Sequence, residues 1–229
     1  MKKTFKFMVV AAALVFATSS SLMAQFKFGV KASGNLSKIY MEDTTTSMKP
    51  GFNVGIMGEY FLNDNMSIGA ELLYSMQGAQ EKSEGEDLGV KWSNKSAITS
   101  NHLNLPIMFR YYFGGLAVEV GPQFGLCLGG KYTSTSEIGD NKNETTQTFS
   151  DVEEDVRKLF SDYKHYNRFS VGGAIGLSYN LPMGLFFGAR YTHDFTDIFN
   201  KVAMDGTDLK NESIKSKIGV ISVSVGFKF

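Results

Sequence analysis

The sequence predicts an all-β protein, an eight-stranded antiparallel transmembrane β-barrel with long extracellular loops and one short loop helix. Three observations carry this expectation. Eight segments of about ten residues alternate apolar side chains with small or polar ones, as strands do when one face meets lipid and the other a lumen. The links between them alternate in length: 62–65, 114–115 and 181–184 are short, whereas 37–49, 78–99, 131–166 and 194–216 are long. The last segment, 217–229, ends on the aromatic Phe229. Short turns at one end and long loops at the other are expected of a barrel fixed across an outer membrane.

The segments, in order, are 26–36, 52–61, 66–77, 102–113, 116–128, 168–180, 185–193 and 217–229. The first sets Phe26, Phe28, Val30 and Ala32 against Gly29, Lys31, Ser33 and Asn35. The same alternation opposes Val54 and Ile56 to Asn53 and Met57, Ile68 and Leu72 to Ser67 and Glu71, and Ile107 and Phe109 to Met108 and Arg110. It continues with Val118 and Val120 against Glu119 and Gly121, Ile175 and Leu177 against Gly176 and Ser178, Phe187 and Ala189 against Gly188 and Arg190, and Val223 and Val225 against Ser222 and Ser224. Alternation alone does not say which face is outside. The non-apolar face is mostly Gly, Ser, Ala and Asn, whereas a water-facing exterior would carry many Lys and Glu. Small residues suit a narrow lumen, so the apolar face is placed outward. Tyr60, Phe61, Tyr111, Tyr112, Phe113, Tyr179, Phe227 and Phe229 fall near strand ends and are expected to form an aromatic girdle at the inner rim. Pro106 and Pro122 cannot donate to a ladder, and a bulge is expected at each. In the third long link, Ser150 and Glu153 read as a capping box opening a helix whose apolar stripe is Val152, Val156, Leu159, Phe160 and Tyr163.

Ahead of the first segment, Lys2, Lys3 and Lys6 precede an apolar run, 7–17, and a small-residue stretch, 19–24. This is the form of a secretory signal peptide, 1–24, cleaved after Ala24 to leave the barrel domain 25–229. The apolar run is too short to span a bilayer as a helix. Loss of three lysines from a chain with 23 basic and 23 acidic residues leaves the mature protein slightly acidic. That argues against a nucleic-acid partner, which would select a basic patch. Cys127 is the only cysteine, so no intrachain disulfide can form. Mean hydropathy is −0.11, ordinary for a barrel whose strands show lipid only every second side chain.

The hairpin 102–125, HLNLPIMFRYYF, two glycines, then LAVEVGPQFG, resembles a signature of the outer-membrane β-barrel family labelled porin family or PorT-like. The opening FGVKASGNL (28–36) and the GARYT run (188–192) are similar to other motifs of that family. The resemblance covers essentially all of 25–229. It implies an outer-membrane location in a Gram-negative envelope, contact with outer-membrane lipid and, for PorT-like members, a link to a secretion machine. Phe227 and Phe229 resemble the C-terminal signal read by the barrel assembly machinery, which implies that machinery and periplasmic chaperones as partners.

Lys31, Glu59, Glu71, Arg110, Glu119 and Arg190 share the inward phase. They form either a permeation path or an interior charge network that fills the lumen. Eight strands enclose a space just wide enough for side chains, which favours filling. Arg110 and Glu119 flank the Gly114–Gly115 turn at similar depth and are expected to pair. Of the histidines His102, His165 and His193, only His102 shares a face with a serine, Ser100, and no hydrolase motif surrounds them. Adjacent His193 and Asp194 point to opposite faces. No catalytic residue, metal site or cofactor is therefore expected. The expected function is non-enzymatic: a structural or surface-interaction role with at most limited solute passage. The competing readings are a small diffusion porin and an accessory of a secretion system. The sequence names no ligand for the extracellular loops.

Overall fold

The computed structural model describes residues 25–41, 47–87, 90–138, 141–151, 166–197, 199–205, 208–214 and 216–229. The expected signal segment, His165 and the expected helical stripe from Val152 onward lie outside them. The strands are β1 (Phe26–Met41), β2 (Ser47–Asn63), β3 (Met66–Asp87), β4 (Val90–Phe113), β5 (Leu116–Ile138), β6 (Asn141–Thr148), β7 (Phe169–Asn180), β8 (Leu185–Asp194), β9 (Phe199–Asp205), β10 (Asp208–Ile214) and β11 (Ser216–Lys228). Eight of them close a ring in the order β4-β3-β2-β1-β11-β8-β7-β5, with β5 returning to β4. Every pairing in the ring is antiparallel. Closure matters because an open edge in hydrocarbon would leave backbone N–H and C=O groups without partners.

The alternation resolves into an inside and an outside. Val30, Ile56, Val120, Ile175 and Val223 are at least half exposed on the outer wall. Their inward neighbours Lys31, Glu119 and Ser222 are buried. A wall that shows this much contiguous apolar surface has hydrocarbon as its solvent.

At one end the connections are tight. Asp64–Asn65 joins β2 to β3, and Gly114–Gly115 joins β4 to β5. Gly114 has φ +65°, a left-handed conformation that two-residue hairpins require and that glycine adopts without a Cβ clash. At the other end the strands outrun the expectation. The link 78–99 is largely ladder, with β3 and β4 paired as far as Asp87 and Val90. Within 131–166, β5 continues to Ile138 and β6 pairs back on it, and β9 and β10 form a separate hairpin within 194–216. Beyond the membrane neither face of a strand needs to be apolar, so these extensions carry no alternation to betray them.

The prolines also depart from expectation, since no register shift occurs at either. Around Pro106 the β3–β4 ladder passes from Ala70↔Ile107 to Leu73↔Asn104 in one register, while Pro106 still pairs with Gln123 on the other side. Pro122 pairs with Gly173 of β7 in an unbroken register. Each ring removes one donor toward one neighbour, and the flanking pairs hold the strand in place. The β4–β5 irregularity lies instead between Asn101 and His102, opposite Gly129 and Cys127.

The loop helix is capped by Thr148, two residues earlier than the expected Ser150. Residues 149–151 are helical, Thr148 N–H donates to Asp151 Oδ2 at 2.9 Å, and Asp151 N–H donates to Thr148 Oγ1 at 3.2 Å. In this reciprocal pair the Thr148 hydroxyl accepts at the cap while the Asp151 carboxylate reaches back to the cap N–H.

Candidate functional site

The lumen is built from the inward residues of all eight ring strands, and it changes chemistry with height. At the short-turn end lies a vestibule of about 390 Å³ lined by Lys27, Phe61, Asp64, Tyr112, Asn180 and Lys228, among others. Its inner wall is a hub around Glu59. Glu59 Oε1 accepts hydrogen bonds from Ser67 and from the Tyr112 hydroxyl, and Glu59 Oε2 pairs with Lys228 Nζ at 2.7 Å. Lys228 Nζ also donates to Asn180 Oδ1 at 2.8 Å and to the Tyr112 oxygen at 3.1 Å. Tyr112 is therefore a lumen residue and not part of the girdle. It is 7% exposed, and its phase on β4 is that of Arg110.

Above the hub sits a layer of charges. Glu71 on β3 is its centre and is 1% exposed. Its Oε1 accepts from Arg110 Nη2 at 2.5 Å and Arg190 Nη2 at 2.7 Å, and its Oε2 accepts from Arg190 Nη1 at 2.9 Å and Lys31 Nζ at 3.2 Å. Glu119 on β5 takes the remaining fork contacts, from Arg110 Nε at 2.9 Å and Arg190 Nε at 2.7 Å. Arg110 Nη1 approaches Glu59 Oε1 at 3.6 Å and ties this layer to the hub below. The β3 wall has a glycine, Gly69, where a Cβ would strike the Arg110 guanidinium. The planar guanidinium with five fixed donors suits this task, because it bridges two carboxylates at once. Lys31, Glu59, Glu71, Arg110, Glu119 and Arg190 are thus brought together, with Lys228 as a seventh member that phase alone could have supplied.

The next layer is uncharged. Asn35 Nδ2 donates to Asn53 Oδ1 at 2.7 Å, Asn53 Nδ2 to Ser33 Oγ at 3.0 Å, and Ser75 Oγ to Asn53 Oδ1 at 2.5 Å. Then the lumen turns apolar. Ile39, Ala79, Cys127, Ile218 and Val220 face inward, and Phe149 and Tyr166 from the long links pack onto them. Phe149 is wholly buried, with its ring 5.0 Å from Tyr132 and 5.2 Å from Tyr166. No alternation signals this plug, because its aromatics come from outside the eight segments.

The Ser100–His102 pair exists, with His102 Nε2 2.9 Å from Ser100 Oγ, but no carboxylate joins it among the described residues. His193 lies against Tyr40 and Tyr191 on the outer wall, while Asp194 is buried within. Among the described residues no group of three or more His, Cys, Asp or Glu could hold a metal ion, and no helix is long and apolar enough to cross a membrane.

A family model described as outer membrane protein beta-barrel domain matches residues 16–200. Among solved structures, the chain is similar to Ail, the attachment invasion locus protein of Yersinia pestis, at 12% identity and TM-score 0.41 over 90% of this chain and 99% of that one. It is similar to the E. coli outer membrane protein W at 18% identity and TM-score 0.41, over 89% and 97% of the two chains. A major outer membrane protein from Thermus thermophilus matches at 15% identity and TM-score 0.43, over 89% and 99%. No curated protein matches the chain.

Proposed function

The chain belongs to the outer membrane protein beta-barrel domain family, and on that premise we infer that it is a non-enzymatic integral protein of the Gram-negative outer membrane whose barrel is a sealed anchor for a surface-exposed sheet. The observation that carries this reading is the filling of the lumen. A water-filled pore needs an unbroken polar channel, whereas here an ion-paired layer is followed by a plug around the wholly buried Phe149. Eight strands leave room for side chains and little else. The interior charges then serve as core: each offsets its desolvation through several partners in a medium where an unpaired charge would be prohibitive.

What the barrel holds up is the extension of β3, β4, β5 and β6 beyond the membrane. Every residue of β6 from Asn141 to Thr148 is exposed. Such a polar surface suits contact with solutes, envelope components or other cells. In this reading residues 1–24 are removed on export, Phe227 and Phe229 present the C-terminal signal to the assembly machinery, and outer-membrane lipid covers the apolar wall. Planar-bilayer recording of the refolded mature protein tests the sealed lumen. Silence at physiological voltages is expected, and steady openings of one defined size would refute it.

A further inference from the structure

Between the charge layer and the plug, the lumen contains a small polar cavity of about 20 Å³, enough for one water-sized occupant. Lys31 and Arg190 form part of its lining, with Asn53, Asn104, Gln123 and Ser222 around them, and no carboxylate lines it. The charges nearby do not balance. Among the described residues the buried network holds four cations, Lys31, Arg110, Arg190 and Lys228, against the carboxylates Glu59, Glu71 and Glu119. Asp194 is buried too, but it stands four residues beyond Arg190 on β8, about 13 Å along the strand, and pairs with none of these four cations. The network as a whole therefore carries one positive charge in excess, and two of its cations, Lys31 and Arg190, line this cavity. Lys31 is 6% exposed and spends one of its three N–H donors on Glu71 at 3.2 Å. Among the described residues the amides of Asn104 and Gln123 make no hydrogen bond with another side chain, and both face the same space.

We propose that this cavity binds a single monovalent inorganic anion of chloride size, held by Lys31 Nζ with the Asn104 and Gln123 amides. A buried excess charge is costly until something of opposite sign neutralises it. Water would fill the space and leave the charge; a halide fills the space and neutralises the charge. The site is independent of what the outer sheet contacts.

The test is crystallisation of the refolded mature protein from sodium bromide, with diffraction collected at the bromine edge, beside thermal unfolding in detergent with chloride or gluconate at equal ionic strength. The expected results are one anomalous peak in the cavity beside Lys31 and an unfolding midpoint that rises by about 3–5 °C for each tenfold increase in chloride above the dissociation constant. Lys31→Met balances the network and should lose both the peak and the chloride dependence. No peak together with identical midpoints in the two salts means water only, or a neutral lysine, and overturns the proposal. A peak that survives in Lys31→Met also overturns it. The bromide experiment on the unmodified protein decides the matter even if that variant does not fold.

Discussion

Glu71→Gln is the sharpest probe of how the lumen is held together. The native carboxylate accepts four charge-assisted hydrogen bonds, from Arg110, Arg190 twice and Lys31, at 2.5 to 3.2 Å. Glutamine keeps the shape but removes the charge, and it turns an acceptor oxygen into an amide donor that faces other donors. The four cations of the network are then left with Glu119 and Glu59, and Lys31 loses the carboxylate it pairs with. Removing one member of a buried ion pair costs about 3–5 kcal/mol, because the partners stay desolvated. With a urea slope of about 2 kcal/mol per molar, the unfolding midpoint should fall by roughly 2 M. The assay is urea unfolding in liposomes, followed by the gel shift between folded and heat-denatured forms. Glu84→Gln is the control: that carboxylate pairs with Lys82 in open solvent, and no change is expected. A Glu71→Gln midpoint within about 0.5 M of the parent would refute the claim that the ion-paired layer is desolvated core.

Phe149→Ala empties the centre of the plug and should cost about 3–5 kcal/mol, yet bilayer recordings should stay silent because the charge layer beneath remains. Gly114→Val forces a β-branched residue to φ +65° and should lower stability by about 1–2 kcal/mol in the same urea assay, while Gly114→Asn should be far milder. Val223→Lys, at mid-height on the lipid face and 68% exposed there, should cost about 2–4 kcal/mol; Thr146→Lys on the solvated β6 should be silent by the same measure. At the loop helix, the Thr148 backbone N–H holds the Asp151 carboxyl below the usual aspartate range, with the Thr148 hydroxyl assisting. A depressed folded-state pKa means that the cap is complete above the ordinary aspartate pKa and is lost as pH falls through the lowered value. The Asp151 carboxyl NMR shift followed against pH should therefore titrate below that of a solvated aspartate, and Thr148→Ala, which keeps the backbone N–H and removes only the hydroxyl, should raise it part of the way.

Much of the ring was legible because lipid and lumen impose opposite demands on successive residues. Val30 beside Lys31, or Val223 beside Ser222, has one workable orientation, and that period-two constraint located all eight ring strands and the inward phase of Arg110 and Glu119. The Gly114–Gly115 turn was legible for a related reason, since Gly114 takes a φ of +65° that other residues resist. Where the constraint lapses, so does the signal. The extension of β3 from Glu81 to Glu86 is largely exposed to water and reads as loop. Pro106 and Pro122 read as bulges because a missing donor is visible in the sequence, whereas the registers that absorb it are not.

Phase told that Glu71, Arg110, Glu119 and Arg190 face inward; it could not tell that one carboxylate from β3 meets cations from β1, β4 and β8. That depends on how far each strand is staggered against the next around a closed ring, which no single strand encodes. The placement of Tyr112 on Glu59 and of Phe149 in the outer mouth follows the same rule. Local alternation sets which way a side chain points, and only closure of the barrel sets what it finds there.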